Sequence, residues 1–449
     1  MFARCFIAFL AVLLLGGMAA SAQTPSRAPT THVQVQSLPP LQTATKAPPF
    51  DAEKAVNAYL ATVKGAARAN SDSYFEGGYY LLVVDTLYAL AVSALLLWTR
   101  FSAWMRNVAA GFTRSRFWQA PIYAVQYVVA TTILTFPLTL YEAFFREHAY
   151  GLSNQTFLQW FGEFSIQTAL QIVIFAIALS AIYAAIRRTQ QRWWAWGTAI
   201  AVVFMIVGTT IQPVFIDPMF NTYTSLPQSP LKDRILSLAR ANGIPAHDVY
   251  LFDASRQSKR ISANVGGFLG TTRIALNDNL LHRTSQDETL AVLGHEMGHY
   301  VLDHGTRLIV AFGLVALLGF WIANWGFARL AGVYGRDWDV QGIDDPAGFP
   351  VLIAIATVFL FVMTPVTNTI TRSTEAQADI FGLNAARQPD GFATVTLKLS
   401  EYRKLDPSPL EEFVFYDHPS GRSRITMAMR WKAEHLNDPD IKAGPVSPQ

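Results

Sequence analysis

The chain has 449 residues, of which 51% are hydrophobic and 15% are charged. Soluble globular chains carry about 25% charged residues, so this composition indicates a membrane protein. The formal net charge of +3 is too small to indicate a nucleic-acid partner. Cys5 is the single cysteine, which excludes a disulfide framework and a cysteine-based metal site. Any metal must therefore be bound by His, Asp or Glu.

The N-terminus has the pattern of a targeting segment. Residues 1–22 contain a short positive start, an apolar stretch and Ala-Ser-Ala near their end, which is typical of a secretory signal peptide. An uncleaved membrane anchor is the alternative. Residues 23–75 are predicted to form a flexible linker, rich in Pro, Thr, Ser and Gln, that ends in a short helix over 51–70.

Apolar segments of roughly 20 residues or more are long enough to cross the hydrocarbon layer of a bilayer. The predicted spans are residues 77–99, 117–141, 164–186, 193–215, 308–328 and 346–371. They indicate an N-terminal domain of four spans over 76–216 and a hairpin of two spans over 308–371.

The polar region 217–307 lies between these two groups of spans and is predicted to have mixed α/β structure. An amphipathic helix is predicted over 230–243, because Gly243 follows an apolar pattern of helical period. Ser285 is predicted to cap the last helix of the region, with Glu288 completing a capping box. Short strands are predicted within 249–255, 260–268 and 271–278.

That last helix contains the sequence HEMGH. His295 and His299 are four residues apart, so both imidazoles point from one face of the helix and can bind one ion. Glu296 is offset on that face and reaches a water molecule rather than the metal, as a general base would. The motif predicts a zinc hydrolase with one Zn²⁺ per chain, and a structural histidine pair is the alternative.

A catalytic zinc site needs three protein ligands and one open position. His304 follows His299 by five residues and would point away from the ion on a continuous helix, so we interpret it as a polar residue that begins the next span. Glu375 and Asp379 are four residues apart on a predicted helix, which suits a ligand and a carboxylate that orients a ligand imidazole. A charged helix face leaving the membrane explains these two acids equally well.

Further motifs surround the zinc helix. HEMGH is followed by two spans and then by RSTEAQAD at 372–379. The other motifs are EHAYGLSNQTF (147–157), IQPVFIDPMFNTYTSL (211–226), TRIALNDNLL (272–281) and HPSGRSRI (418–425). In combination they resemble the type I CAAX prenyl endopeptidase family of integral-membrane zinc proteases, over roughly residues 75–435.

The resemblance implies that zinc is bound by His295, His299 and Glu375. It also implies that Glu296 is the catalytic base and that Asp379 is the carboxylate behind the ligands. Peptide-bond hydrolysis is the reaction that this arrangement implies.

The resemblance extends to the C-terminal motif and to the strand before the zinc helix. His418 and Arg424 match a pair that steadies the substrate or the oxyanion; a polar turn that caps a helix is the alternative. At the strand, this chain has Ser262-Ala263 where the family has Asn-Ala. Its own Asn264 comes two residues later and is a candidate for substrate binding on an edge strand.

The fold that the resemblance implies is mostly α: a polytopic membrane protein whose helices form a chamber beside a small α/β zinc protease domain of the gluzincin type. The protease domain would combine 217–307 with 372–449. The predicted function is a membrane metalloendopeptidase whose partners are the bilayer and a peptide or membrane-protein substrate. A transporter, or an inactive protease-like scaffold, with a structural zinc is the alternative, although a structural site has no use for Glu296. The sequence indicates no oligomeric state.

The charges of the loops predict the orientation. Loops 100–116 and 187–192 carry four and three arginines, whereas loop 142–163 carries one. The positive-inside rule places the arginine-rich loops in the cytoplasm, so the protease domain would face the periplasm of a bacterial inner membrane. A cytoplasmic protease domain is the alternative. Loop 329–345, with two arginines and four aspartates, fits poorly on the cytoplasmic side.

Overall fold

The computed structural model describes residues 50–267 and 272–442. The predicted signal peptide or anchor, and the linker up to residue 49, lie outside these residues. The described chain is mostly helical. Its α-helices of six or more residues are α1 Ala52–Leu60, α2 Gly65–Trp98, α3 Phe101–Phe112, α4 Arg116–Leu140, α5 Phe157–Thr189, α6 Trp193–Ile211, α7 Pro230–Ala241, α8 Asp278–Arg283, α9 Gln286–Val301, α10 His304–Trp338, α11 Phe349–Ala386, α12 Pro389–Leu399, α13 Pro409–Phe415 and α14 Gly421–Glu434.

Five segments of the described chain are long and apolar enough to cross a membrane. Four of them contain α2, α4, α10 and α11, and the fifth, Phe157–Met219, is 63 residues long and contains both α5 and α6. The six predicted spans therefore correspond to six helices. Leu87, Leu314 and Val362 on three of these helices are 61%, 62% and 66% exposed, as expected of side chains that face lipid.

One end of the helical domain brings the arginine-rich loop and the acidic loop together. Arg106 forms ion pairs with Asp339 at 2.8 Å and with Asp345 at 2.7 Å. Arg116 pairs with Asp344 at 3.2 Å. Three of the four aspartates of loop 329–345 are thus paired with arginines at the same end of the membrane domain.

The opposite end of the helical domain contacts the α/β region. Ser153, in the loop before α5, forms an antiparallel bridge with Ser258. Arg260 donates to Glu147 of the same loop at 2.8 Å. The α/β region therefore packs on the end of the spans that lies away from the arginine-rich loops.

The sheet has four strands, β1 Tyr223–Ser225, β2 Val249–Phe252, β3 Ala263–Gly266 and β4 Arg273–Asn277, in the order β1-β2-β4-β3. β2 and β4 are parallel, and the other two pairings are antiparallel. The sequence predicted β2, β3 and β4 but missed β1, which has only three residues. β3 is an edge strand, and its Val265 packs with Leu293 and Met297 of α9 in one apolar cluster.

Helices α9 and α11 approach each other more closely than larger side chains permit. A Cβ atom at Gly382 would lie 2.7 Å from the backbone nitrogen of His295, and a Cβ atom at Gly298 would lie 3.0 Å from Cα of Ala378. Contacts under 3.0 Å force the backbones to move. Because α9 carries both histidines and α11 carries Glu375, this contact sets the distance between them.

We expect Gly382→Val to destabilise the protein, because the valine side chain would overlap the backbone at His295. Overpacking of this kind costs about 1–3 kcal/mol in the free energy of unfolding. Thermal denaturation in detergent would measure the loss. Gly332→Ala in α10 is the control, since no atom lies within 4 Å of the added Cβ atom. An unchanged Tm for Gly382→Val would contradict the role given to this contact.

Candidate active site

The predicted capping box at the start of α9 is present. Ser285 Oγ accepts a hydrogen bond from the Glu288 backbone at 3.3 Å, and Glu288 accepts one from the Ser285 backbone at 2.6 Å. Lys398 of α12 also binds the Glu288 carboxylate at 2.8 Å. The cap and this ion pair anchor the N-terminal end of the helix that carries the HEMGH sequence.

His295, His299 and Glu375 converge on one point. The two Nε2 atoms lie 3.1 Å apart. Glu375 Oε2 lies 3.2 Å from His295 Nε2, and Glu375 Oε1 lies 3.5 Å from His299 Nε2. One ligand atom from each residue falls within 4.8 Å of the others. The structure thus joins two segments that are separated in the sequence by α10 and the first part of α11.

Each imidazole is held through its second ring nitrogen. His295 Nδ1 lies 2.7 Å from Asp379 Oδ1, so its N–H donates to that carboxylate. His299 Nδ1 lies 3.0 Å from Nδ1 of His304. These contacts occupy both Nδ1 atoms and leave both Nε2 atoms directed at Glu375.

His304 begins the next span, as the sequence predicted, and it is not one of the three converging ligands, but its ring contacts His299, which the sequence did not predict. Helix α9 ends at Val301, and Asp303 then adopts the left-handed conformation, with φ 52° and ψ 44°. This break turns the His304 ring back to His299 and buries it at 1% exposure. Periodicity could not reveal this contact, because it assumes an uninterrupted helix; the available signal was Asp303, a residue type enriched in left-handed conformations.

Asp379 is fully buried and forms a bidentate ion pair with Arg424. Arg424 Nε donates to Oδ2 at 2.9 Å, and its NH2 group donates to Oδ1 at 2.6 Å. Paired hydrogen bonds of this geometry fix both partners. The guanidinium of Arg424 is therefore committed mainly to Asp379, which in turn holds His295.

Glu296 and His418 face a cavity of about 150 Å³ beside His295. Burial raises the pKa of the Glu296 carboxyl above its ordinary value, although the neighbouring imidazoles oppose the shift. His418 Nε2 lies 3.2 Å from Glu375 Oε2, and its Nδ1 lies 2.8 Å from Asp417 Oδ1. The structure thus brings His418 to the same carboxylate as the two histidines of α9.

Asn264 lies on edge strand β3 and is half-buried. The residues from this part of the chain that line the cavity are Ile261, Ser262 and Ala263. Within the described residues, the Asn264 side chain is therefore not part of the cavity wall. Backbone groups of the edge strand remain available to an extended peptide.

Comparison with known proteins agrees with this geometry. Residues 225–432 match the family described as Peptidase family M48, and residues 61–222 match the family described as CAAX prenyl protease N-terminal, five membrane helices. The chain is 30% identical over 315 residues to a Bacillus subtilis protein named "Uncharacterized metalloprotease YhfN", covering 70% of this chain and 74% of the relative. The chain belongs to peptidase family M48.

Other relatives of this M48 protein include CAAX prenyl protease 1 of Saccharomyces cerevisiae, which is 28% identical over 66% of this chain and 69% of the relative. The CAAX prenyl protease 1 homolog of Arabidopsis thaliana is 28% identical over 64% of this chain and 68% of the relative. Among solved structures, S. mikatae Ste24p matches with a TM-score of 0.69 at 22% identity, covering 84% of this chain and 94% of that chain.

These findings confirm the predicted resemblance, the fold class and the class of enzyme. The M48 protein is an integral-membrane metalloprotease, mostly helical, with a helical membrane chamber and a small α/β domain. The transporter and the inactive scaffold are not favoured.

We expect Arg424→Met to destabilise the protein, because the change leaves the Asp379 carboxylate buried without its cation. Removing one partner of a buried ion pair costs about 3–5 kcal/mol in the free energy of unfolding. Thermal denaturation would measure the change. Arg430→Met is the matched control, since Arg430 is exposed on the same helix α14. Equal Tm values for the two variants would contradict the role given to Arg424.

Proposed function

We propose that this M48 protease hydrolyses peptide bonds with a zinc ion bound by His295, His299 and Glu375. Two imidazoles and a carboxylate are a donor set that suits catalytic zinc and leaves a fourth position open. Glu375 Oε2 is buried 3.2 Å from Nε2 of both His295 and His418, and it accepts no hydrogen bond of good geometry from a described residue, which fits a cation at this place. The convergence of the three side chains is the observation that carries the proposal.

The residues behind the ligands have separate positioning roles. Asp379 accepts the Nδ1 proton of His295 and thereby presents Nε2 to the metal. His304 orients the His299 ring from the start of α10, through the contact between their Nδ1 atoms at 3.0 Å. Arg424 holds the Asp379 carboxylate in place from α14.

A bound zinc ion would supply a Lewis acid that activates water and polarises the scissile carbonyl. Glu296 takes a proton from the attacking water and returns it to the leaving amine. His418 and Arg424 line the same cavity, where their N–H groups can stabilise the developing oxyanion. Edge strand β3 offers backbone groups to the extended substrate.

The variants Glu296→Gln and Glu375→Ala should separate catalysis from metal binding. We expect Glu296→Gln to keep its zinc and to lose roughly 10²–10⁴-fold in kcat, as removal of a general base does. Glu375→Ala should lose the zinc itself, because one of three ligands is gone. Mass spectrometry measures the bound zinc, and cleavage of a fluorogenic peptide measures the activity. Full activity in Glu296→Gln, or full zinc occupancy in Glu375→Ala, would overturn these assignments. Glu434→Gln is the control, because Glu434 is exposed.

We further propose that the physiological substrates are membrane proteins or peptides in quality control or maturation. Several eukaryotic relatives carry the name CAAX prenyl protease 1, whereas the relative at 30% identity is a Bacillus subtilis metalloprotease, and prenylated CAAX proteins are a eukaryotic substrate class. Comparing the membrane proteomes of cells with wild-type and Glu296→Gln enzyme identifies the substrates. Prenylated peptides as the only accumulating species would contradict this proposal.

We propose that the protease domain faces the periplasm of the inner membrane. The arginine-rich end of the spans, which also holds Arg106 and its aspartate partners, would lie in the cytoplasm. The α/β region packs on the other end. The domain boundaries that we propose from the sequence are 76–216 and 308–371 for the membrane spans, and 217–307 and 372–449 for the protease domain.

Cysteine labelling tests the orientation, with Cys5 first replaced by serine. We expect a membrane-impermeant maleimide to label Glu434→Cys in cells whose outer layer alone has been opened, because Glu434 is exposed on α14. Arg114→Cys, exposed at the arginine-rich end, should react only after the inner membrane is broken. The reverse pattern would show that the protease domain is cytoplasmic.

A further inference from the structure

The end of the spans that lies away from the α/β region has an excess of positive charge. Loops 100–116, 187–192 and 329–345 together carry nine arginines and four aspartates, and they contain no lysine or glutamate. Three of the aspartates pair with Arg106 and Arg116. The other seven arginines form no ion pair within the described residues.

Two of these loops meet where α4 begins and α5 ends. The two helices are consecutive spans, and the rings of Tyr127 on α4 and Phe175 on α5 stack at 5.9 Å. Arg116 lies eleven residues before Tyr127, and Arg187 lies twelve residues after Phe175, so both lie about 17 Å along their helices from the stacked rings. Arg187 is half-buried and lies within electrostatic reach of Arg116 and Asp344. The two loops therefore bring their arginines to the same end of this helix pair.

The remaining arginines beside this helix pair, Arg114, Arg188 and Arg192, are exposed. Among these three, Arg116 and Arg187, only Arg116 has a carboxylate partner within the described residues, and that partner also acts on Arg187. Like charges on neighbouring loops repel one another, and the repulsion is relieved when an anion binds between them. The cluster is therefore suited to an anionic ligand from outside the chain.

Aromatic side chains indicate the depth of this cluster in a bilayer. Trp98, Trp104, Trp118 and Trp196 come from α2, α3, α4 and α6, and each exposes more than half of its surface. Tryptophan is enriched at the membrane–water interface, because its ring is apolar and its N–H group is polar. The arginines at this end therefore lie at the level of the lipid headgroups.

Helix α3 has the surface of a helix that lies in the interface. Its inner face carries the buried residues Met105 and Ala109, whereas Phe101, Trp104 and Phe112 are exposed. The rings of Phe101 and Trp104 stack at 5.0 Å. An exposed apolar face on a short helix is stabilised when that face is buried among lipid chains. Lipid molecules therefore surround the loop that follows α3 and leads into α4.

We propose that Arg114, Arg116, Arg187, Arg188 and Arg192 form a binding site for the headgroup phosphate of an anionic phospholipid. Guanidinium groups suit this place, because they bind phosphate oxygens through paired hydrogen bonds and are weakly hydrated. Basic sites at the ends of membrane spans bind anionic headgroups, which carry the complementary charge. The site lies at the opposite end of the spans from the α/β region, so lipid binding goes beyond the proposed peptidase function and is independent of it.

Native mass spectrometry of the full chain in detergent measures the binding of single lipid molecules. The two probes are phosphatidylglycerol and phosphatidylcholine with identical acyl chains, which differ in the net charge of the headgroup. We expect the wild type to bind phosphatidylglycerol more tightly by roughly 10-fold or more in Kd, because each arginine near an anionic headgroup contributes about five-fold in affinity.

Paired variants show whether this cluster causes the preference. Arg114→Gln combined with Arg188→Gln removes one exposed cation from each loop and should reduce the preference by roughly five-fold or more. Arg114→Lys combined with Arg188→Lys keeps the charge and should retain most of the preference. The matched control is Arg240→Gln combined with Arg430→Gln, which removes the same charge from exposed positions on α7 and α14 and should keep the wild-type ratio. If the first pair fails to fold, each of its single variants should show a smaller loss.

Three results would overturn the proposal. They are equal Kd values for the two lipids in the wild type, an unchanged ratio in the Arg114→Gln and Arg188→Gln pair, and an equal loss in the control pair, which would assign the preference to the net charge of the chain. Glu296→Gln should bind both lipids as the wild type does. Failure of peptide cleavage would contradict the proposed function and leave the lipid site untouched.

Discussion

The site depends on the direct contact between the backbones of α9 and α11. Gly382 packs against the backbone of His295, and Gly298 packs against Ala378, with no room for larger side chains. One helix carries the two imidazoles, and the other carries Glu375 and Asp379. The distance between these groups is therefore set by helix packing, which is stiff, and not by loops.

Behind the site, buried polar side chains form a series of contacts that ends at the guanidinium of Arg424. Arg424 binds Asp379, Asp379 binds His295, and His295 faces Glu375. Burying any one of these side chains alone would cost free energy, and each is stabilised by its neighbour in the series. His304 completes the arrangement on the side of His299. The contacts at Nδ1 thus fix the orientation of both rings, with each Nε2 atom turned to Glu375.

The two ends of the membrane-spanning helices make different contacts. Arginines and aspartates pair at the end away from the site, whereas the loop at 147–156 contacts the α/β region at the other end. A hydrolytic site needs water, and this arrangement places it where the helices leave the apolar layer.

Much of the site could be predicted from the sequence because helical spacing is a local property. HEMGH places His295 and His299 on one face, and the capping box marks where the helix begins. Long apolar segments identify spans whatever their partners, since every backbone polar group in lipid must be satisfied within its own helix. The spans, three of the four strands and the capped zinc helix were predicted in this way.

The sequence by itself determined the elements and the chemical types of the candidate ligands. The tertiary structure decided which distant residues meet: Glu375 with the two histidines, Arg424 with Asp379, and His304 with His299 across a helix break. It also showed that β1 completes the sheet and that Ile261, Ser262 and Ala263, not Asn264, reach the cavity. The physical reason is that periodicity describes one helix or strand at a time. Contacts between segments arise from packing and from local helix breaks such as the one at Asp303. The repeat pattern of a single helix or strand indicates neither of them.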